Sequence, residues 1–295
     1  MADRRGHGYR DLLYPMAVST LAVDDLEIAY SDGGQGGRTL LLLHGLASYM
    51  PVWSRMLGAL RERHRVVALD LPGHGRSSKP DCAYAMSWQA RVVDRVMGAL
   101  ELAQVTLCGH SMGGQIALLQ ALAQPRRVDA LVLVAPAGFE TFSEREEKWL
   151  RAAWSEEVIR SAPPELVQAR VEAAFFEMPP EAGFVLRDRL AIIGGPDFDG
   201  FARAVARSVG AMLAEPVLDR LHEITQPTLV VFGADDAMIP NPILHTGTAR
   251  EVAEQGMARL RDAELLMLPR TGHMVQLEQP AALAGAMLDF LARRP

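Results

Sequence analysis

Five residues, Gly109-His110-Ser111-Met112-Gly113, carry the clearest chemical signal in the chain. On composition alone this glycine-x-serine-x-glycine pattern arises by chance about once in twelve such chains, so its surroundings decide its meaning. It follows a short apolar run at residues 105–108 and precedes a helical stretch, 112–124, that Pro125 stops. A serine on so tight a strand-to-helix turn stands exposed, and the flanking glycines avoid side-chain collisions. The helix start beside it offers free N–H groups and the positive end of a dipole. The chemistry that suits such a serine is nucleophilic attack on a carbonyl carbon. A blander reading is a glycine-rich turn that happens to hold a serine.

A serine hydroxyl is a poor nucleophile until a base takes its proton, and that base needs an acceptor to fix its tautomer. Of eight histidines, His273 is the best placed, because Thr271-Gly272-His273 follows the last strand-like run, 264–268, on a turn. His44 and His110 sit inside motifs and read as structural, while His7, His64, His74, His222 and His245 have no comparable placement. Asp235 and Asp236 follow the penultimate strand-like run, 228–232. Adjacent residues leaving a strand point in different directions, so only one can face an imidazole. Both could equally punctuate a turn.

The elements that must position these residues alternate. Strand-like runs at residues 39–43, 65–71, 105–108, 128–135, 228–232 and 264–268 are nearly continuous in apolar residues, as strands buried on both faces read. Helical stretches fall at 53–63, 87–102 (with Ser87 as N-cap), 112–124, 242–261 and 281–293. This order predicts an α/β fold with a mostly parallel central sheet flanked by helices. Residues 139–224 break the rhythm, with about four proline- and glycine-punctuated helices and no convincing strand. The expected organisation is an N-terminal extension at 1–18, a main domain at 19–138 and 225–295, and an inserted all-helical cap at 139–224.

At 295 residues, 49% hydrophobic and 22% charged, the chain has ample material for one core. A net charge of −6 argues against nucleic acid as a partner, since phosphate binding needs a basic surface. Arg4-Arg5 and Arg126-Arg127 read as solvated pairs. Arg4, Arg5 and Arg10 precede a fairly apolar stretch, 12–23, but no small-x-small cleavage site follows, so the extension reads as a non-signal segment. No run reaches the ~20 apolar residues of a membrane span. Cys82 and Cys108 give neither a disulfide framework nor metal-ligand spacing, which fits a reducing, cytoplasmic location.

The motif Gly-His-Ser-Met-Gly-Gly in this setting resembles the nucleophile turn of the α/β-hydrolase family, in its esterase, lipase and haloperoxidase branches; the resemblance runs from about Ser19 to Leu291. The segment after Ser111, with Pro136-Ala137-Gly138-Phe139, is similar to monoacylglycerol-lipase-like members. The resemblance implies a triad of Ser111, Asp236 and His273. It selects Asp236 over Asp235 because the family leaves two residues between a glycine, here Gly233, and its acid, and three between that acid and a proline, here Pro240. It implies an oxyanion hole from the backbone N–H groups of Leu46 and Met112, through His44-Gly45-Leu46. Asp70, in Asp-x-Pro-Gly-His-Gly, is implied to be structural. A serine nucleophile departs from haloalkane dehalogenases and epoxide hydrolases, which use aspartate.

The expected function is therefore hydrolysis of small or medium-chain carboxylic esters through an acyl-enzyme on Ser111, with no cofactor and no metal. A carbon–carbon bond hydrolase of the ring-cleavage-product type would share the triad and the cap. Against it stand Leu46-Ala47-Ser48, where those enzymes usually carry a glycine-rich loop, and Met274, where they tend to carry an aromatic. The same residues would also serve acyl transfer to another acceptor, or a receptor that binds a small molecule without turnover. A small-molecule ester is the expected partner.

Overall fold

The computed structural model describes residues 6–294. Eight strands form one sheet: β1 (Ser19–Val23), β2 (Leu26–Gly33), β3 (Thr39–Leu43), β4 (Arg65–Leu69), β5 (Val105–His110), β6 (Val128–Val134), β7 (Thr228–Gly233) and β8 (Ala263–Leu268). Their spatial order is β1-β2-β4-β3-β5-β6-β7-β8. The pairs β1–β2 and β2–β4 are antiparallel, and all the others are parallel. The sheet is thus mostly parallel, as the alternation of elements predicts.

Alternate side chains of the central strands feed two cores. Leu40, Leu42, Val66, Ala68, Cys108 and Val132 pack on one face, beneath α1 (Ser54–Arg61), α10 (Val275–Glu278) and α11 (Pro280–Ala292). Leu41, Leu43, Val67, Leu69, Leu107 and Leu131 pack on the other, beneath α2 (Met86–Ala99), α3 (Met112–Ala123) and α9 (Ala249–Met257). Coverage on both faces is why these strands read as unbroken apolar runs. Every residue of α3 from Met112 to Ala121 is buried, so this helix needs no polar face.

Five helices, not four, lie between β6 and β7: α4 (Glu144–Ala153), α5 (Glu156–Ser161), α6 (Pro164–Glu172), α7 (Phe184–Ala191) and α8 (Phe198–Ala214). The extra break is made by Ser155, whose side chain caps Val158 N–H at the start of α5, where no proline or glycine signals it. Two other expected boundaries move. Helix α2 begins one residue before Ser87, whose N–H is held by Glu215 instead. Helix α9 starts only at Ala249, because the Asn241 side chain folds residues 241–244 into a turn and Thr248 caps the helix with Glu251. The β1–β2 hairpin, which the sequence reading does not anticipate, turns at Asp24-Asp25 with Asp24 at φ 49°.

The basic pair Arg4-Arg5 lies outside the described residues. From Gly6 onward the N-terminal segment packs against the rest of the chain, burying Tyr9, Leu12 and Tyr14. Tyr14 donates its hydroxyl to the buried carboxylate of Asp70 at 2.8 Å, and Met50 and Arg76 N–H groups donate to the same carboxylate at 2.7 and 2.8 Å. Burial pushes the Asp70 carboxyl up to about 6, against the pull of these donors.

Folding therefore favours the protonated form of Asp70, and that stability is lost as pH rises from the ordinary carboxylate range through about 6. Tyr14 limits the loss by donating to the anion. Tyr14→Phe is expected to destabilise by about 1–3 kcal/mol, more at pH 8 than at pH 5, in urea unfolding. An equal loss at both pH values would show that Asp70 does not change charge in this window.

Candidate active site

Parallel pairing aligns the carboxyl ends of the central strands, with Leu43 opposite Gly109 and Gly233 opposite Leu268. The loops that leave these ends carry every residue proposed above for chemistry, at the edge where open α/β sheets place their sites. Ser111 lies between β5 and α3 at φ 52°, ψ −118°, a left-handed conformation for a residue with a side chain. Its carbonyl accepts N–H bonds from Gly114 and Ala137, and its N–H donates to Val134, which over-determine the turn. The flanking glycines work as expected, with different partners. A methyl group at Gly109 would strike the Gly113 carbonyl, and one at Gly113 would strike the Leu43 carbonyl of the next strand.

His273 follows β8, and its Nδ1–H donates to Oδ2 of Asp236 at 2.8 Å; both residues are buried. The other carboxylate oxygen of Asp236 accepts N–H bonds from Met238 and Ile239 at 2.8 and 3.1 Å. This double anchoring orients the acid, whereas Asp235 faces solvent. Glu140, the first acid after β6, pairs with His245 at 2.6 Å and not with His273. Ser111 and His273 line the same cavity, and the Ser111 hydroxyl makes no hydrogen bond among the described residues. Contacts of this kind commonly tighten only around a substrate.

The other buried histidines are committed elsewhere. His44 donates from Nδ1 to the Gly45 carbonyl and accepts the Leu71 N–H at Nε2, and burial pushes its pKa down to about 4. His74 donates to the Pro72 carbonyl and accepts the Ala47 N–H. His110 donates from Nε2 to the backbone carbonyl of His273 at 3.0 Å, and burial holds its ring neutral. His44 and His74 have no free lone pair, so neither can act as a base. His110 instead props the His273 loop.

The N–H groups of Leu46 and Met112 have no acceptor among the described residues. Gly45 lets their loop approach the serine, since a methyl group there would sit 2.8 Å from His110 Nδ1 and 3.1 Å from Ser111 Cβ. Ser111, His273 and Leu46 open onto a cavity of about 470 Å³ that residues of the helices between β6 and β7 line on its other side. Among the described residues no cluster of His, Cys, Asp or Glu could hold a metal ion. Among the same residues no helix is long and apolar enough to cross a membrane.

One positioning group escapes sequence reasoning. Glu278 accepts the Gly272 N–H on one carboxylate oxygen at 2.9 Å, and the Phe176 and Glu177 N–H groups on the other at 2.9 and 3.2 Å. The Ala174 carbonyl accepts the N–H groups of both His273 and Met274. The loop that carries the imidazole is thereby stapled to the end of α6, about a hundred residues away in the chain. No local pattern announces such a contact.

A serine on a strained strand–turn–helix, with a histidine–aspartate pair at the next strand ends of a mostly parallel sheet, is the arrangement of α/β hydrolases. The chain belongs to the alpha/beta hydrolase family, whose model matches residues 40–286. It is 33% identical over 277 residues to a putative carbamate hydrolase of Variovorax paradoxus, covering 88% of this chain and 94% of that protein. It is 32% identical over 267 residues to the dihydrolipoyllysine-residue acetyltransferase component of an acetoin-cleaving system of Pseudomonas putida. That match covers 88% of this chain but only 65% of the longer protein. The fold also matches the crystal structure of a probable hydrolytic enzyme from Pseudomonas aeruginosa, with a TM-score of 0.87 and 26% identity, over 98% of this chain and 99% of that one.

If the Glu278 staple sets the imidazole, Glu278→Gln should lower kcat for hydrolysis by about 10- to 100-fold, since small misplacements of a catalytic group cost that much. KM should change far less. Steady-state kinetics beside thermal melts test this: a lower Tm with kcat intact would reduce Glu278 to a structural role.

Proposed function

We propose that this protein hydrolyses carboxylic esters through an acyl-enzyme on Ser111, with His273 as general base and acid and Asp236 as its orienting partner. The observation that carries the reading is the 2.8 Å Asp236–His273 hydrogen bond beside a nucleophile-turn serine on the same cavity. In the first half-reaction Ser111 Oγ attacks the carbonyl carbon and its proton passes to His273 Nε2. The carbonyl oxygen, now negative, accepts the N–H groups of Leu46 and Met112. Each such donor is worth on the order of 10²–10³ in rate in comparable enzymes. The tetrahedral centre collapses, the C–O bond to the alcohol breaks, and His273 returns the proton to the departing oxygen.

In the second half-reaction a water molecule loses a proton to His273 and attacks the acyl carbon. Collapse releases the carboxylic acid and restores the Ser111 hydroxyl. Asp236 accepts the Nδ1–H throughout, so Nε2 is the nitrogen that cycles. Residues 139–224 act in this reading as a helical cap that shapes the acyl site. A carbamate carbonyl can enter the same cycle, which bears on the similarity to a putative carbamate hydrolase.

A chain-length series of p-nitrophenyl esters and a p-nitrophenyl carbamate, assayed beside Ser111→Ala, tests the reading. Steady ester turnover should fall by about 10⁴-fold or more in the variant. A single burst without turnover would favour a receptor, and full activity in Ser111→Ala would remove the serine from the mechanism. A fluorophosphonate probe should label Ser111, as located by peptide mapping; Asp236→Asn should slow labelling because the imidazole loses its tautomer partner.

A further inference from the structure

The cavity contains a cation that the reaction cycle leaves unused. Arg189, on α7, lines it, and its guanidinium carbon lies 4.7 Å from the centroid of the Phe201 ring. No carboxylate pairs with this guanidinium among the described residues. The described acids nearby are engaged elsewhere. Asp188, its sequence neighbour, accepts the Tyr49 hydroxyl at 2.6 Å and Arg187 at 2.8 Å. Asp197 holds the Tyr9 N–H at 2.7 Å and Lys79 at 3.7 Å. Of the acids on the cavity wall, Glu140 pairs with His245, Glu147 with Arg151 and Asp219 with Arg259. Tyr9 and Tyr49, the titratable groups that act on Arg189, are kept neutral by burial.

A guanidinium half withdrawn from water without a counter-ion is costly, and stacking on one aromatic ring offsets only part of that cost. Around it the wall is apolar, with Val185, Ile193, Phe198 and Val205 among its residues. Arg189 is also linked by contacts to the loop that carries Leu46. The Phe201 ring beneath it lies 6.2 Å from His74, which holds the Ala47 N–H next to Leu46. Resting on the reading of this cavity as the acyl-transfer site, we propose that Arg189 is an anion anchor and that the substrate carries a carboxylate a few bonds from the carbonyl attacked by Ser111.

The planar fork of a guanidinium matches a carboxylate in charge and geometry. The cavity wall carries a second guanidinium, Arg170, stacked over the Trp154 ring at 4.9 Å. Discrimination follows from the same physics. A neutral chain filling this space would expel water from Arg189 and give it no acceptor, so the site should reject it.

The test compares monomethyl esters of succinic, glutaric, adipic and pimelic acids with methyl alkanoates of matched length. At one chain length or more, kcat/KM for the acid-ended ester should exceed that of its neutral match by about tenfold or more, and Arg189→Gln should lower that ratio about tenfold. A ratio near one at every length, or a ratio that Arg189→Gln leaves unchanged, would overturn the proposal. Calorimetric titration of the same monoesters into Ser111→Ala needs no turnover: binding should weaken about tenfold when Arg189→Gln is added, and no binding across the series counts against the anchor. If wild type turns over no ester while Ser111→Ala binds the acids through Arg189, the ester-hydrolase reading fails and the anchor stands.

Discussion

The site depends on one hydrogen bond, from the Nδ1–H of His273 to the carboxylate of Asp236. It joins the ends of two neighbouring strands, β7 and β8, and settles which imidazole nitrogen carries a proton. The rest of the loop architecture serves it. Backbone N–H groups of Met238 and Ile239 aim the carboxylate, and His110, next to Ser111 in the chain, braces the carbonyl of His273. A carboxylate held by two backbone donors on one oxygen keeps the other turned toward the imidazole, so the partner ring is always offered an acceptor.

Burial sorts the histidines around this centre. His44, His74 and His110 sit as deep as His273, yet the hydrogen bonds of their ring nitrogens all go to backbone groups. Backbone carbonyls and N–H groups supply no charge to stabilise an imidazolium, so desolvation keeps these rings neutral. The same residue type thus serves as scaffold in three places, and His273 differs by facing a carboxylate. Asp70 shows the converse: a carboxylate with three donors and, among the described residues, no ion pair is pushed up to about 6 by burial.

What the sequence discloses follows the range of the interactions involved. Ser111 is legible because its turn, its glycines and its helix are all within a dozen residues. Asp236 and His273 are legible as residues that leave strands, though choosing between Asp235 and Asp236 takes the family's spacing, since either could leave the strand facing the imidazole. The β1–β2 hairpin has a local signal in the Asp24-Asp25 turn, but the apolar stretch before it blurs the alternation that marks a half-buried strand. The break between α4 and α5 rests on a single serine cap and leaves almost no trace in composition. Glu278 and Arg189 are illegible for a stronger reason. Their contacts lie in other elements, and the absence of a carboxylate partner for Arg189 among the described residues is visible only once the acids near it have been placed.

The contacts of Ala174 and Glu278 have a consequence for how such a site can change. Two N–H groups of the histidine loop hang on a carbonyl at the end of α6, while one carboxylate grips both that loop and the residues that follow α6. The same stretch supplies Val171 and Phe175 to the cavity wall. Wall and histidine loop are therefore one mechanical unit. A change of side chain that alters the cavity without moving this backbone leaves the imidazole in place, whereas a shift of α6 carries His273 with it. Substrate range should vary most freely through side chains on α7 and α8, which line the cavity and, among the described residues, make no hydrogen bond to the histidine loop, and that is where Arg189 stands.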